Sequence, residues 1–414
     1  MTMKESLWIE RLEAAIAART RRVGTAAAWA RLLVLLPILI LALKQVGALP
    51  ARPGLLVPLV VVYGILNYLE DVRRPPAPAS LAHRLLAGVS DLLLWCVVLA
   101  CCRGLVSTPL LIAKAAIEVL LLALVTGGRN SGSTRIQDGL QLTTFLGLLF
   151  MSQGLLSGMV TPQAVTYLLW LDVIMLGTIA LINLRILQKR FIADALSGCN
   201  LTCGAFSMVF AARGQLPASL LFLMLGAGFD GFDGAAARKF GGTRWGVYSD
   251  DIADGVNYGI APGVALYLVI GGFEGAVLGS FFTVFTLSRL VFFTLSKGGG
   301  DPEFFCGVPS TVGALVTICS MILFADHVAV IGLMVGIACI QMVSFDTHYR
   351  HLGRALASNR RILYGMPVFL VVVLSGRHFI GPQAPIALVL GASLIYGFLP
   401  TVAHFREVLR GRSA

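Results

Sequence analysis

The chain has 414 residues, a formal net charge of +11, 57% hydrophobic and 13% charged residues, and a mean hydropathy of +0.84. A soluble domain carries about 25% charged residues, so this composition excludes an ordinary globular fold and predicts an all-α, polytopic membrane protein. A β-barrel is disfavoured, because its strands alternate apolar and polar over about 10 residues, whereas the apolar runs here are continuous.

The first 22 residues, "MTMKESLWIERLEAAIAARTRR", are too charged for a signal peptide and predict an amphipathic helix on the membrane surface. A bilayer is crossed by about 20 mostly apolar residues. On that measure spans are predicted near 25–46, 54–70, 84–102, 105–126, 140–160 and 164–186. A second set falls near 199–213, 217–238, 246–271, 273–296, 309–325, 327–345, 361–377 and 382–402, about 14 helices in all. The basic stretch 185–200 reads as an interfacial helix joining an N-terminal unit of about six helices (1–186) to a C-terminal unit (187–414).

Within the first unit, Lys114 and Glu118 stand four apart in one apolar run and are expected to pair, while Asp91 and Asp172 also sit in spans. Ionisable groups inside a membrane are costly and often functional. Pairing between helices is the expectation, and an ion path through a transporter is the competing reading. No inverted repeat supports the transporter. The eight cysteines lie mostly in apolar runs without a CxxC and read as packing residues.

Cations collect in alternate loops, such as Arg73–Arg74, Arg129–Arg135, Arg185–Arg190, Arg238–Lys239 and Lys297, and in the tail with Arg406, Arg410 and Arg412. No basic face interleaved with aromatics suggests nucleic acid. The positive-inside bias predicts that both termini and these loops are cytoplasmic, and the expected location is the inner (cytoplasmic) membrane of the cell.

One stretch breaks the apolar pattern: "GFDGFDGAAARKFGGTRWGVYSDDIADG", residues 228–255. Asp230 and Asp233 are three apart, and Asp250 and Asp254 four apart, so each pair shares a helix face. The glycine-containing turn "KFGGTRW" between them folds the two helices back on each other. Four carboxylates in one gap repel unless cations lie between them. Hard divalent ions such as Mg²⁺ or Mn²⁺ suit an all-carboxylate site, and a pair of them can polarise a phosphoryl group. Gly234 and Gly246 permit close substrate approach, and Arg238 offers a fork for phosphate oxygens. A hairpin whose aspartates face water or pair with Arg238, Lys239 and Arg244 is the plainer alternative. Four carboxylates in register with glycine and arginine argue against it.

These residues resemble the signature of the CDP-alcohol phosphotransferase family, D-x2-D-G-x2-A-R-x8-G-x3-D-x3-D. Asp230, Asp233, Gly234, Ala237 and Arg238 match its first half, and Gly246, Asp250 and Asp254 its second. The spacer departs from the pattern, with seven residues where eight are usual, and the deletion falls at the turn. "CNLTCGAFS" (199–207), "NYGIAPG" (257–263), "SRLVFF" (288–293) and "FFCGVPSTVGA" (304–314) are similar to blocks of phosphatidylserine synthases, and "QMVSFDTHYR" (341–350) more loosely so.

The resemblance covers about residues 186–405. It implies a helical bundle in which an alcohol hydroxyl attacks the β-phosphorus of CDP-diacylglycerol and CMP leaves. L-serine is the favoured acceptor; inositol phosphate and glycerol phosphate are the alternatives. It further implies that Asp230, Asp233 and Asp250 hold two divalent ions, and that Asp254 touches the second ion and acts as general base. Gly234 would lie against the nucleotide, Arg289 would contact the acceptor carboxylate or a phosphate, and Asn200 would line the nucleotide pocket. Homodimers are common in the family, so a homodimer is a further expectation.

Overall fold

The computed structural model describes residues 33–35, 62–63, 66, 92, 106–129, 161–296, 304–344, 347–350 and 379–409. The predicted spans near 25–46, 54–70, 84–102, 140–160 and 361–377 lie wholly or largely outside these residues, as do the N-terminal amphipathic helix and Asp91. Among the described residues, seven helices are long and apolar enough to cross a membrane. The chain divides into two compact units between Ala195 and Leu196.

The unit ending at Ala195 contains α1 (Thr108–Thr126) and α2 (Pro162–Asn183). Thr161 caps α2 by accepting from the Ala164 N–H at 3.2 Å, and Pro162 occupies the first helical position, where its missing N–H costs nothing. Leu121 and Leu124 of α1 bury against Leu176, Ile179 and Ala180 of α2. The lysine expected to pair with Glu118 does so, and it also forms an ion pair across the helices with Asp172. All three side chains are buried.

Helix α3 (Phe191–Ala212) begins eight residues before the span predicted at 199 and takes in most of the stretch predicted to lie in the interface. Its first turn carries Asp194, which hid the helix start from a hydropathy reading. α4 (Leu216–Phe240) returns antiparallel, and Phe206 and Phe210 of α3 close on Phe222 of α4, with ring centroids 5.5 and 5.2 Å apart. After the turn come α5 (Gly246–Asp254), a π-helical turn (Gly255–Ile260) and α6 (Ala261–Ile270), which run on without a break.

Helix α7 (Gly272–Ser296) folds back along α6 and the π turn. Their crossing is set by two glycines. A Cβ on Gly279 would lie 2.3 Å from the Gly263 carbonyl oxygen, and one on Gly263 would lie 2.1 Å from Thr283 Oγ1. In a membrane, helix association relies on this kind of close packing, because burial from lipid supplies no hydrophobic drive. Gly279→Val is therefore expected to lower stability by about 1–3 kcal/mol through forced separation of backbones. Thermal unfolding in detergent measures it, and an unchanged midpoint contradicts the crossing.

Two shorter helices follow, α8 (Ser310–Leu323) and α9 (Val328–Val343), and then α10 (Ala384–Leu409). α8 packs against α4, α9, α10 and the π turn. At 14 and 16 residues, α8 and α9 fall short of the predicted 309–325 and 327–345. The all-α expectation needs one correction. A two-stranded antiparallel ribbon pairs β1 (Phe304–Cys306) with β2 (His348–Arg350), Phe305 opposite Tyr349. Tyr349 is buried, and its hydroxyl reaches Thr401 Oγ1 at 2.7 Å and donates to the Gly397 carbonyl at 3.2 Å, which ties the ribbon to α10.

Candidate active site

The helical periodicity of α4 puts Asp230, Asp233, Gly234 and Arg238 along one face, and that of α5 puts Asp250 and Asp254 along another. The turn 241–245 brings the two faces together. Asp230, Asp250 and Asp254 each present one carboxylate oxygen, and these oxygens lie within 4.8 Å of one another. The three side chains are half-buried.

Asp233 stands beside this triplet, 5% exposed, and accepts a hydrogen bond from Ser197 Oγ of α3 at 2.6 Å. Asp251, next in sequence to Asp250, is directed elsewhere: Thr294 Oγ1 of α7 donates to both its oxygens at 3.0 Å.

Polar groups from two further elements surround the triplet. Asn200 Nδ2 of α3 donates to Asp254 Oδ1 at 2.9 Å. Asn257 Nδ2, from the π turn, donates to Asn200 Oδ1 at 2.8 Å. Tyr258 donates its hydroxyl hydrogen to Asp230 Oδ2 at 3.3 Å. A π turn inserts one residue into a helical register and is frequent at functional sites. Here it begins at the residue after Asp254 and carries Asn257 and Tyr258, both fully buried, toward the carboxylates.

Arg289 of α7 is 4% exposed and lies within electrostatic reach of Asp254. Its guanidinium carbon sits 5.9 Å from the Phe293 ring centroid, and its Nε finds no hydrogen-bond partner among the described residues. Arg238 is exposed at the end of α4; a Cβ on Gly234 would stand 3.3 Å from its Nη1, so these two residues border the same open face. Gly246 is the first residue of α5, at the mouth of the turn.

The donor set is of the kind a hard divalent cation takes: three carboxylate oxygens converge within 4.8 Å of one another. Without positive charge between them the three would repel.

Of the residues named from the sequence, the structure brings together the triplet, Asp233, Asn200 and Arg289; Ser197, Asn257 and Tyr258, not named as candidates there, lie beside them. The signal for those three was available as polar side chains inside otherwise apolar spans. It was too weak to separate them from ordinary buried hydroxyls and amides.

Comparison with known proteins agrees with this geometry. The chain is 25% identical over 205 residues to the CDP-diacylglycerol–serine O-phosphatidyltransferase of Helicobacter pylori, covering 47% of this chain and 84% of that one. It is 33% identical over 144 residues to the enzyme of the same name from Mycobacterium leprae, covering 32% and 47%. It is 29% identical over 160 residues to the archaetidylserine synthase of Methanothermobacter thermautotrophicus, covering 37% and 67%. Residues 190–343, which hold all the site residues described above, match the CDP-alcohol phosphatidyltransferase family model.

Proposed function

We propose that this protein transfers the phosphatidyl group of CDP-diacylglycerol to the hydroxyl of a small alcohol, L-serine by preference, releasing CMP. The observation that carries the reading is the convergence of Asp230, Asp250 and Asp254 from two neighbouring helix ends within a membrane-embedded bundle. The names of the relatives favour serine.

In this reading the acceptor oxygen forms a bond to the β-phosphorus as the bond from that phosphorus to the CMP oxygen breaks. Asp254 takes the hydroxyl proton. Asp230, Asp233 and Asp250, with Asp254, would hold two divalent ions, Mg²⁺ or Mn²⁺. When bound, the ions neutralise charge on the diphosphate and on the departing CMP. Gly234 and Gly246 let the nucleotide approach the backbone, and Arg238 binds phosphate oxygens. Asn200 was expected to line the nucleotide pocket; both ends of its amide already engage Asp254 and Asn257, which favours a role in orienting Asp254.

Arg289 is the anchor for the acceptor's carboxylate. A buried guanidinium with an unpartnered Nε suits an anion that arrives with the substrate. The site lies on the cytoplasmic side, where soluble CDP and membrane-bound diacylglycerol meet.

The test is CMP release by the purified full-length chain with CDP-diacylglycerol and Mg²⁺ or Mn²⁺, supplying serine, inositol phosphate and glycerol phosphate in turn. Release with serine alone, with phosphatidylserine as product, is expected. Release with one of the phosphorylated alcohols instead reassigns the acceptor, and release with none refutes the reading. Arg289→Lys should raise the KM for serine by about 10- to 100-fold while leaving that for CDP-diacylglycerol near its original value. The opposite pattern would place Arg289 at the nucleotide.

A further inference from the structure

We infer that Asn257 is a positioning residue that acts through Asn200, by fixing which end of the Asn200 amide meets Asp254. The inference rests on the reading of Asp254 as the general base. A carboxamide has one accepting and one donating end. Asn200 must turn its NH₂ toward Asp254 to donate to the carboxylate, and its oxygen then points the other way. Asn257 Nδ2 meets that oxygen at 2.8 Å and also reaches the Leu223 carbonyl at 3.4 Å. Were Asn200 turned over, its oxygen would face the Asp254 carboxylate and its NH₂ would face the NH₂ of Asn257. Both contacts would be repulsive, so the order Asn257 to Asn200 to Asp254 has a single sense.

The surroundings hold that order in place. Asn200 and Asn257 are both 0% exposed. A Cβ on Gly226 of α4 would lie 2.1 Å from Asn257 Nδ2 and 2.7 Å from Asn200 Oδ1. A Cβ on Gly204 of α3 would lie 2.7 Å from Asn257 Cα. The two amides therefore fill a slot between α3 and α4 that no larger neighbour would leave open. One oxygen of Asp254 is thereby committed to Asn200, and the carboxylate cannot rotate freely. Asn257 supplies this from the π turn, three residues beyond Asp254 on the same chain segment.

The experiment is steady-state CMP release by the full-length protein carrying Asn257→Ala, Asn200→Ala or both, with whichever acceptor the wild type uses. Removing a group that orients a reacting side chain costs about 10- to 100-fold. Asn257→Ala is expected to lose that factor in kcat, with the KM for CDP-diacylglycerol and the affinity for CMP changed less than about twofold. In the Asn200→Ala background the same substitution should cost less than about a further twofold, because residues acting in series are not additive.

Asn257→Leu, nearly the same volume and unable to donate, keeps the test open if the alanine variant folds poorly; it should show the same loss of kcat. Full additivity of the two losses, a rise in KM at constant kcat, or an unchanged kcat in Asn257→Leu each overturns the inference while leaving phosphatidyl transfer standing. A wild type that releases no CMP, or an Asp254→Asn variant that keeps its rate, overturns the general-base reading and this inference with it.

Discussion

Asp254→Asn is expected to lower CMP release by at least about 10²- to 10⁴-fold, the range that a positioned general base contributes, without loss of the fold. Asparagine has the shape of aspartate and still offers an oxygen to Asn200 Nδ2, whose bond to Asp254 Oδ1 is 2.9 Å long. What it lacks is the carboxylate basicity that, on the proposed mechanism, would take up the hydroxyl proton.

The same substitution removes one of three carboxylates gathered within 4.8 Å. In a chelator, where nothing offsets their repulsion, the variant should unfold at a higher temperature than the wild type. Adding Mg²⁺ or Mn²⁺ should then stabilise the wild type more than the variant, since an ion that binds only the folded state stabilises it in proportion to its affinity. Rate and melting temperature are thus predicted to move in opposite directions. A variant that is both slower and less stable in chelator would mean that Asp254 holds the helices together instead of facing a charged cluster. A variant that keeps its rate removes Asp254 from proton transfer.

The legible part of this protein is the part governed by local rules. A three- or four-residue spacing fixes a helix face, so Asp230 with Asp233 and Asp250 with Asp254 could be placed on opposing faces from their spacing in the chain. Mean hydropathy likewise located α1, α2, α4, α7 and α10 to within a few residues, apart from the polar end of α10. Lys114 with Glu118 is the same kind of reading.

The features that escaped are those whose cause lies far along the chain or in a slip of register. β1 and β2 are three residues each and more than 40 apart in sequence, too short to show alternation, and they exist because Tyr349 anchors them to α10. The π turn differs from the surrounding helix by one inserted residue, which hydropathy cannot resolve, yet it decides that Asn257 and Tyr258 face the site. Ser197 could not be linked to Asp233 without knowing how α3 meets α4. The clustered carboxylates were therefore readable, and most of the side chains packed around them were not.

Lys114→Met is expected to destabilise the first unit by about 3–5 kcal/mol, the cost of leaving buried charge uncompensated when one partner of an ion pair is removed. Lys114 is 0% exposed and contacts both Glu118 on its own helix and Asp172 on the next, which are 6% and 1% exposed. Without the ammonium, two carboxylates remain inside apolar helices that cross a membrane, where neither water nor lipid can solvate them. The triple variant Lys114→Met, Glu118→Leu, Asp172→Leu removes these three charges together and should recover most of the lost stability, because a buried ion network is commonly replaceable by packed apolar side chains. The melting temperatures of the single and triple variants measure this directly. CMP release by the triple variant then separates the two readings of the cluster. A folded triple variant with wild-type turnover assigns Lys114, Glu118 and Asp172 to joining α1 and α2. A folded triple variant with impaired turnover shows that charge buried at this position serves the protein's activity, and that the first unit does more than carry the second.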